Sequence, residues 1–319
     1  AVPLKKEGED GDIEGAEKLE FSEGAMVAEL ESDMLTLKEE PHMMIPGGLK
    51  EGGTSFEGHG FFEASSMRKV GEKYYFVYSS KLSHELCYAV SDYPDREFTF
   101  GGTLISNGDI GYEGNQEPHN MMGNNHGGMV KANGQWYIFY HRQTHGTESS
   151  RQGCAEKITI QEDGSIKQVE MTSCGLNKGG LSDKGTYPAA IACNLMGKDS
   201  IGKITYGASL KDTQPYIFEE NNDLHYIANI GDGVVVGYKY FAVEKLSKVV
   251  LCLRGDAEGE IKVSADLAGK SELGSSRFKL QGKEWNTVEI PVKAETGKTG
   301  LFFRFAIDGT VEFKEFTLS

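Results

Sequence analysis

From residue 59 onward the chain is a succession of short β-rich segments, and no long amphipathic helical pattern interrupts them. Runs at 61–70, 74–80, 85–90 and 97–105 are rich in aromatic and β-branched residues and are separated by Gly, Ser, Asp and Pro, the punctuation of antiparallel strands. Four more follow at 128–132, 136–141, 153–160 and 166–171. The two sets repeat. His59-Gly60 returns 67 residues later as His126-Gly127, and Cys87-Tyr88-Ala89 returns as Cys154-Ala155-Glu156. Between them, Lys73-Tyr74-Tyr75-Phe76-Val77-Tyr78 corresponds to Gln135-Trp136-Tyr137-Ile138-Phe139-Tyr140. Repeated four-strand units are the mark of propeller blades, the extra length here lying in the loop at 106–125.

After Gln214-Pro215 the texture changes. Alternating runs at 234–240, 248–254, 259–264, 277–280, 286–292, 300–306 and 311–318, with turn residues between them, read as a β-sandwich of jelly-roll type. The polar stretch 181–187 and the Gly-rich stretch 197–207 read as a connector, and the charged, aromatic-free residues 1–20 as an acidic flexible segment. The expected organisation is therefore all-β: the acidic segment 1–20, about two blades and a strand of a third over 21–207, and the sandwich over 208–319.

Charge narrows the partners. Forty-eight acidic against 33 basic residues give a net charge of −15, which repels a phosphate backbone and disfavours nucleic acid. No apolar run reaches the ~18 residues that would cross a bilayer as a helix. A neutral partner such as a sugar fits better. The start, Ala1-Val2-Pro3-Leu4-Lys5-Lys6, lacks the apolar core of a signal peptide, favouring the cytoplasm over secretion. Five cysteines without a CxxC pair read as free thiols.

The segment richest in chemistry is Glu57-Gly58-His59-Gly60-Phe61-Phe62-Glu63-Ala64-Ser65-Ser66. Glu63 opens what would be a blade's innermost strand, where a partly dry channel raises a carboxyl toward the range of a general acid; the structural alternative is a core-edge pair with Arg68 or Lys69. His59 and its counterpart His126, each beside a glycine that permits close approach, are candidate substrate-site residues. His126 is also the candidate metal ligand, against a purely structural role. Arg151 suits a clamp on a substrate hydroxyl, or a surface ion pair. In the C-terminal part Trp285, Tyr238 and Tyr240 are candidate sugar-stacking rings, Trp285 equally a core residue.

The Glu57–Ser66 stretch, Tyr74-Tyr75-Phe76-Val77-Tyr78-Ser79-Ser80, Ser106-Asn107-Gly108-Asp109-Ile110-Gly111, Gly123-Asn124-Asn125-His126-Gly127 and Ser150-Arg151-Gln152-Gly153-Cys154-Ala155-Glu156 occur in order and resemble glycoside hydrolase family 43. That resemblance implies a five-bladed propeller acting on arabinose- or xylose-containing polysaccharides, with Glu63 as the general acid of an inverting mechanism and no required cofactor. Residues 214–319, with Tyr226-Ile227-Ala228-Asn229-Ile230-Gly231-Asp232-Gly233, are similar to a family 6 carbohydrate-binding module, which implies a structural calcium; Glu219, Glu220 and Glu315 are its candidate ligands. The Asp base and the second, tuning Asp of the family precede the matched motifs, and Asp92 and Asp109 do not match them. The expectation is a glycosidase completed by N-terminal blades or by another chain, the alternative being a non-catalytic carbohydrate-binding protein.

Overall fold

A computed structural model describes residues 22–120, 123–145, 151–198 and 214–319. The acidic segment 1–20, Ser150 and most of the Gly-rich stretch 197–207 lie outside the described residues. Among these residues the chain is built from strands and two short 3₁₀ turns, at Tyr112–Gly114 and Ala189–Ile191. Among the described residues no helix is long and apolar enough to cross a membrane.

The chain divides into two compact units, residues 1–83 with 87–101, and residues 84–86 with 102–319. In the first, β1 (Gly24–Val27) and β2 (His42–Pro46) form an antiparallel pair. Four strands then follow one another as neighbours in a sheet: β3 (Phe61–Val70), β4 (Lys73–Ser80), β5 (Glu85–Ser91) and β6 (Thr99–Ser106). Their positions match the four expected runs. Ile45, Phe56, Phe76, Tyr78, Cys87 and Phe98 are the heart of this unit's core. By contrast Met26, Met34, Leu35, Leu37, Met43 and Leu49 are exposed.

In the second unit β7 (Gly128–Ala132), β8 (Gln135–Arg142) and β9 (Gln152–Ile158) form a three-stranded antiparallel sheet. The fourth expected strand does not form. Residues 160 and 166 make only an isolated bridge, and the chain beyond gives its N–H groups elsewhere, Val169 to the Leu104 carbonyl at 2.9 Å and Met171 to Asp109 Oδ1 at 2.7 Å.

The remaining ten strands belong to one hydrogen-bonded network: β10 (Leu181–Ser182), β11 (Gly185–Pro188), β12 (Asn194–Met196), β13 (Tyr216–Asn221), β14 (Leu224–Ile230), β15 (Val235–Val243), β16 (Lys248–Ser264), β17 (Glu272–Leu280), β18 (Asn286–Pro291) and β19 (Gly297–Leu318). Residues 181–187, expected as a connector, instead supply β10 and β11, which pair with β15 and β19. Two pairs of expected strands are single long ones, β16 of 17 residues and β19 of 22 residues. The cause is glycine. Gly255 and Gly259 read as turns, but in the fold they sit inside β16 at φ +135° and +152°. A Cβ on either would strike the backbone of β19, so these glycines permit close approach of two strands rather than a reversal. The core of this network is aromatic, with Tyr238, Phe241, Phe303, Phe305, Phe313 and Phe316 fully buried.

Candidate functional site

In the first unit the groups converge on the turn before β3. Glu51, only 6% exposed, accepts the Gly60 N–H at 2.6 Å and an ammonium hydrogen bond from Lys81. Burial pushes its carboxyl up, but Lys81 and the N–H groups of Gly60 and Gly58 outweigh it and hold it below the ordinary range. Tyr78 donates to the His59 carbonyl at 2.8 Å, and Lys81 N–H to the Gly60 carbonyl at 2.9 Å. A Cβ on Gly60 would collide with the Glu51 carboxylate and with Gly47, which is why glycine stands there. The half-buried His59 ring stacks on Phe100, centroids 4.7 Å apart.

Glu63 follows on β3 and is half-buried. It lies in a bulge: the register with β4 shifts on both sides of the Glu63–Ser79 pair, and Ala64 adopts φ +65°. A left-handed alanine is disfavoured, and a bulge re-aims the side chains beside it. The distortion therefore sits at the one carboxyl that the motif singles out.

In the second unit His126 precedes β7 and is half-buried, 3.2 Å from Asn124 Nδ2 and edge-on to His141 with centroids 5.1 Å apart. Its neighbour Gly127 packs so closely on the Phe139 carbonyl that a Cβ has no room, the same constraint found at Gly60. Arg151 is exposed at the edge of β9. Two acidic residues that the sequence did not single out belong to the same unit. Glu156 on β9, 5% exposed, accepts the Thr172 N–H at 2.6 Å and the Thr172 hydroxyl at 2.7 Å; burial pushes its carboxyl up to about 8 against those bonds and against Arg142. Glu170 accepts from the Tyr240 hydroxyl at 2.8 Å and from Lys239 at 2.8 Å. Asp109 is 1% exposed and paired with Lys239 at 3.0 Å, while Asp92 pairs with Lys73 at 2.8 Å.

The aromatic candidates separate. Tyr238 is fully buried and donates its hydroxyl to the Ala189 carbonyl at 2.9 Å, so no ring face is left for a sugar and that expectation is corrected. Tyr240 is half-buried, with Lys298 Nζ 3.7 Å from its ring centroid. Trp285 is half-buried and edge-on to Tyr226 at 5.6 Å, and the Arg254 guanidinium lies over both rings, 4.3 Å and 4.8 Å from their centroids. Beside them opens a cleft of about 740 Å³ lined by Tyr216, Glu220, Asn229, Arg254, Asp256 and Glu312. The proposed calcium ligands do not gather: Glu219 pairs with His145 at 3.1 Å, Glu220 with Arg254 at 2.8 Å and Glu315 with Lys314 at 3.7 Å. Among the described residues neither they nor His126 falls within a cluster of three potential ligands. All five thiols are free.

Residues 13–166 match the family model described as Glycosyl hydrolases family 43. A "Xylosidase/arabinosidase" of Thermoclostridium stercorarium is 43% identical over 307 residues, 92% of this chain and 64% of that protein. An "Arabinoxylan arabinofuranohydrolase" of Paenibacillus polymyxa is 24% identical over 81% of this chain and 41% of its own length. The chain thus spans less than two thirds of either relative. Among solved structures, a glycoside hydrolase family 43 arabinoxylan arabinofuranohydrolase from Bacillus subtilis, in complex with cellotetraose, aligns over 97% of this chain and 63% of its own, at 19% identity and a TM-score of 0.44.

Proposed function

We propose, from the match of residues 13–166 to the family 43 model, that the protein cleaves arabinofuranosyl or xylosyl bonds in plant polysaccharides and that Glu63 protonates the leaving oxygen. The observation that carries this reading is local. Glu63 sits in the bulge of β3, directly after a turn pinned by Glu51, Tyr78 and Lys81, and a proton donor must be held in place for its transfer to be fast. His59, His126 and Arg151 are the substrate-side groups of the same reading.

Inversion needs a second carboxylate ~6.5–9.5 Å from the first to activate water. In this proposal that base comes from chain outside residues 1–319, which span 64% of the length of the Thermoclostridium stercorarium relative. The five free thiols fit a reducing compartment. The 319-residue chain alone is then expected to hydrolyse 4-nitrophenyl arabinofuranoside and xyloside at the background rate. Turnover well above background would overturn the placement of the base elsewhere.

A second reading is favoured by the cleft beside Trp285. Its Tyr216 ring, carboxylates and Arg254, whose guanidinium is held over Trp285, suit neutral sugar hydroxyls, so the ten-stranded part would grip polysaccharide as a carbohydrate-binding module whether or not the chain is catalytic. Calorimetric titration with xylo- and arabino-oligosaccharides tests it: Trp285→Ala should abolish the binding that this cleft supplies, and unchanged binding would reject it.

A further inference from the structure

The ten-stranded network is joined to the family 43 segments by buried ionic and hydrogen-bonding groups, all within the second compact unit. Lys239 on β15 is 4% exposed and donates to Asp109 Oδ2 at 3.0 Å and Glu170 Oε1 at 2.8 Å. Burial opposes the charge on Lys239, but the Cys193 sulfur and the two carboxylates hold its ammonium above the usual value. Asp109 lies just after β6. Its other carboxylate oxygen takes the Met171 N–H, and its own N–H closes a turn onto the Ser106 carbonyl at 3.0 Å.

That turn carries Asn107, whose amide donates to the Gly123 and Asn124 carbonyls at 3.2 Å and 3.3 Å. Asn124 Nδ2 in turn stands 3.2 Å from His126 Nε2. A second tie runs in parallel: Asn194 on β12 donates to the His119 carbonyl at 2.6 Å, and Asn120 to the Cys193 carbonyl at 3.4 Å. Polar contacts and the Ser106–Asp109 turn therefore lead from the C-terminal strands to a candidate substrate residue more than a hundred positions earlier in the chain.

We propose that Lys239 is a positioning residue for the sugar site: acting through Asp109 and Asn107, it fixes the residues between β6 and β7 that present His126, so the C-terminal strands set the affinity of the glycosidase part for its substrate. The substrate side of this proposal rests on the glycosidase reading; the geometry does not. The physical reason is the charge balance. Without the ammonium that both contact, the buried Asp109 and the half-buried Glu170 lose the cation between them and repel each other. Moving Asp109 releases the turn that aims Asn107.

The test uses the full chain with Lys239→Met, Lys239→Arg and Asn107→Ala. Hydrogen exchange is read over residues 104–130 and over β16 and β19, together with calorimetric affinity for xylotriose and arabinotriose. Lys239→Met is expected to speed exchange at 107–126 and weaken sugar binding by about tenfold, with β16 and β19 unchanged and Lys239→Arg restoring both readouts. Exchange that stays slow at 107–126, or that rises equally throughout the chain, overturns the proposal, as does loosened exchange with unaltered affinity. Should Lys239→Met fail to fold, Asn107→Ala decides, since it must loosen 123–126 and weaken binding by itself; no change overturns the proposal. A wild-type chain that binds neither sugar overturns the substrate reading instead, and exchange alone then upholds or refutes the tie.

Discussion

Glu51 and Glu156 show how the same side chain is tuned in opposite directions by what surrounds it. Glu51 is held charged by Lys81 and the Gly60 N–H, below its ordinary value of 4.5. Its contribution to stability is therefore present above pH 4.5 and is lost as the pH falls through the lowered value. Glu51→Gln is expected to cost about 1–3 kcal/mol at neutral pH, and the gap in melting temperature to wild type should narrow as the pH falls below 4.5; a gap constant from pH 3 to 7 would contradict this. Glu156 behaves in reverse. Its carboxyl is raised from 4.5 to about 8 by burial, so its native state is favoured below pH 4.5 and loses that advantage progressively up to pH 8. Glu156→Gln should melt higher than wild type at pH 9 and no higher at pH 4, as thermal scans across that range would show. Neither glutamate stood out in the sequence. Glu51 lies in the polar run Leu49-Lys50-Glu51-Gly52-Gly53 and looks solvated, and its partners, nine and thirty residues away, carry no periodic signal. His59, Gly60 and Glu63 were legible because the repeat with His126-Gly127 and the run of motifs drew attention to them.

At the level of strands, the four segments from 61 to 105 were readable because Tyr, Phe and Val alternate with clear turn residues, and β3–β6 fall within a few residues of the expected runs. The C-terminal strands were harder. Gly255, Gly259 and Gly309 carry the composition of turns but serve close contacts between β16 and β19, and glycine alone does not distinguish the two uses. Tyr238 was misassigned as a stacking ring although its run, Val234-Val235-Val236-Gly237-Tyr238, is apolar on both faces. Such a run marks a strand buried on both sides. The packing of Tyr238 against Phe303, Phe313 and Phe316, with centroids 5.7, 6.5 and 4.5 Å away, makes Phe316 a keystone of that core. Phe316→Ala is expected to lower unfolding free energy by about 3–5 kcal/mol in denaturant titration, and a loss below 1 kcal/mol would show that these rings are not closely packed.

Across the whole molecule, the net charge of −15 suits the neutral polysaccharide of the proposed function, and Glu63, the proton donor of that proposal, sits where the backbone of β3 is distorted. Residues 181–187, read as part of a connector, proved to belong to the C-terminal network because their pairing partners, among them Phe241 and Thr317, are distant in sequence. Local pattern does not reveal such pairings. In the proposed function Glu63 is the acid, and dependence on the leaving group tests that most directly. In the complete gene product, kcat/KM is compared between wild type and Glu63→Gln for a phenyl and a 2,4-dinitrophenyl glycoside of the preferred pentose. A donor is needed only when the departing oxygen is basic, so the phenyl substrate should lose about 10²–10⁴-fold while the dinitrophenyl substrate is nearly unaffected. Equal losses on both, or no loss on the phenyl glycoside, would contradict it.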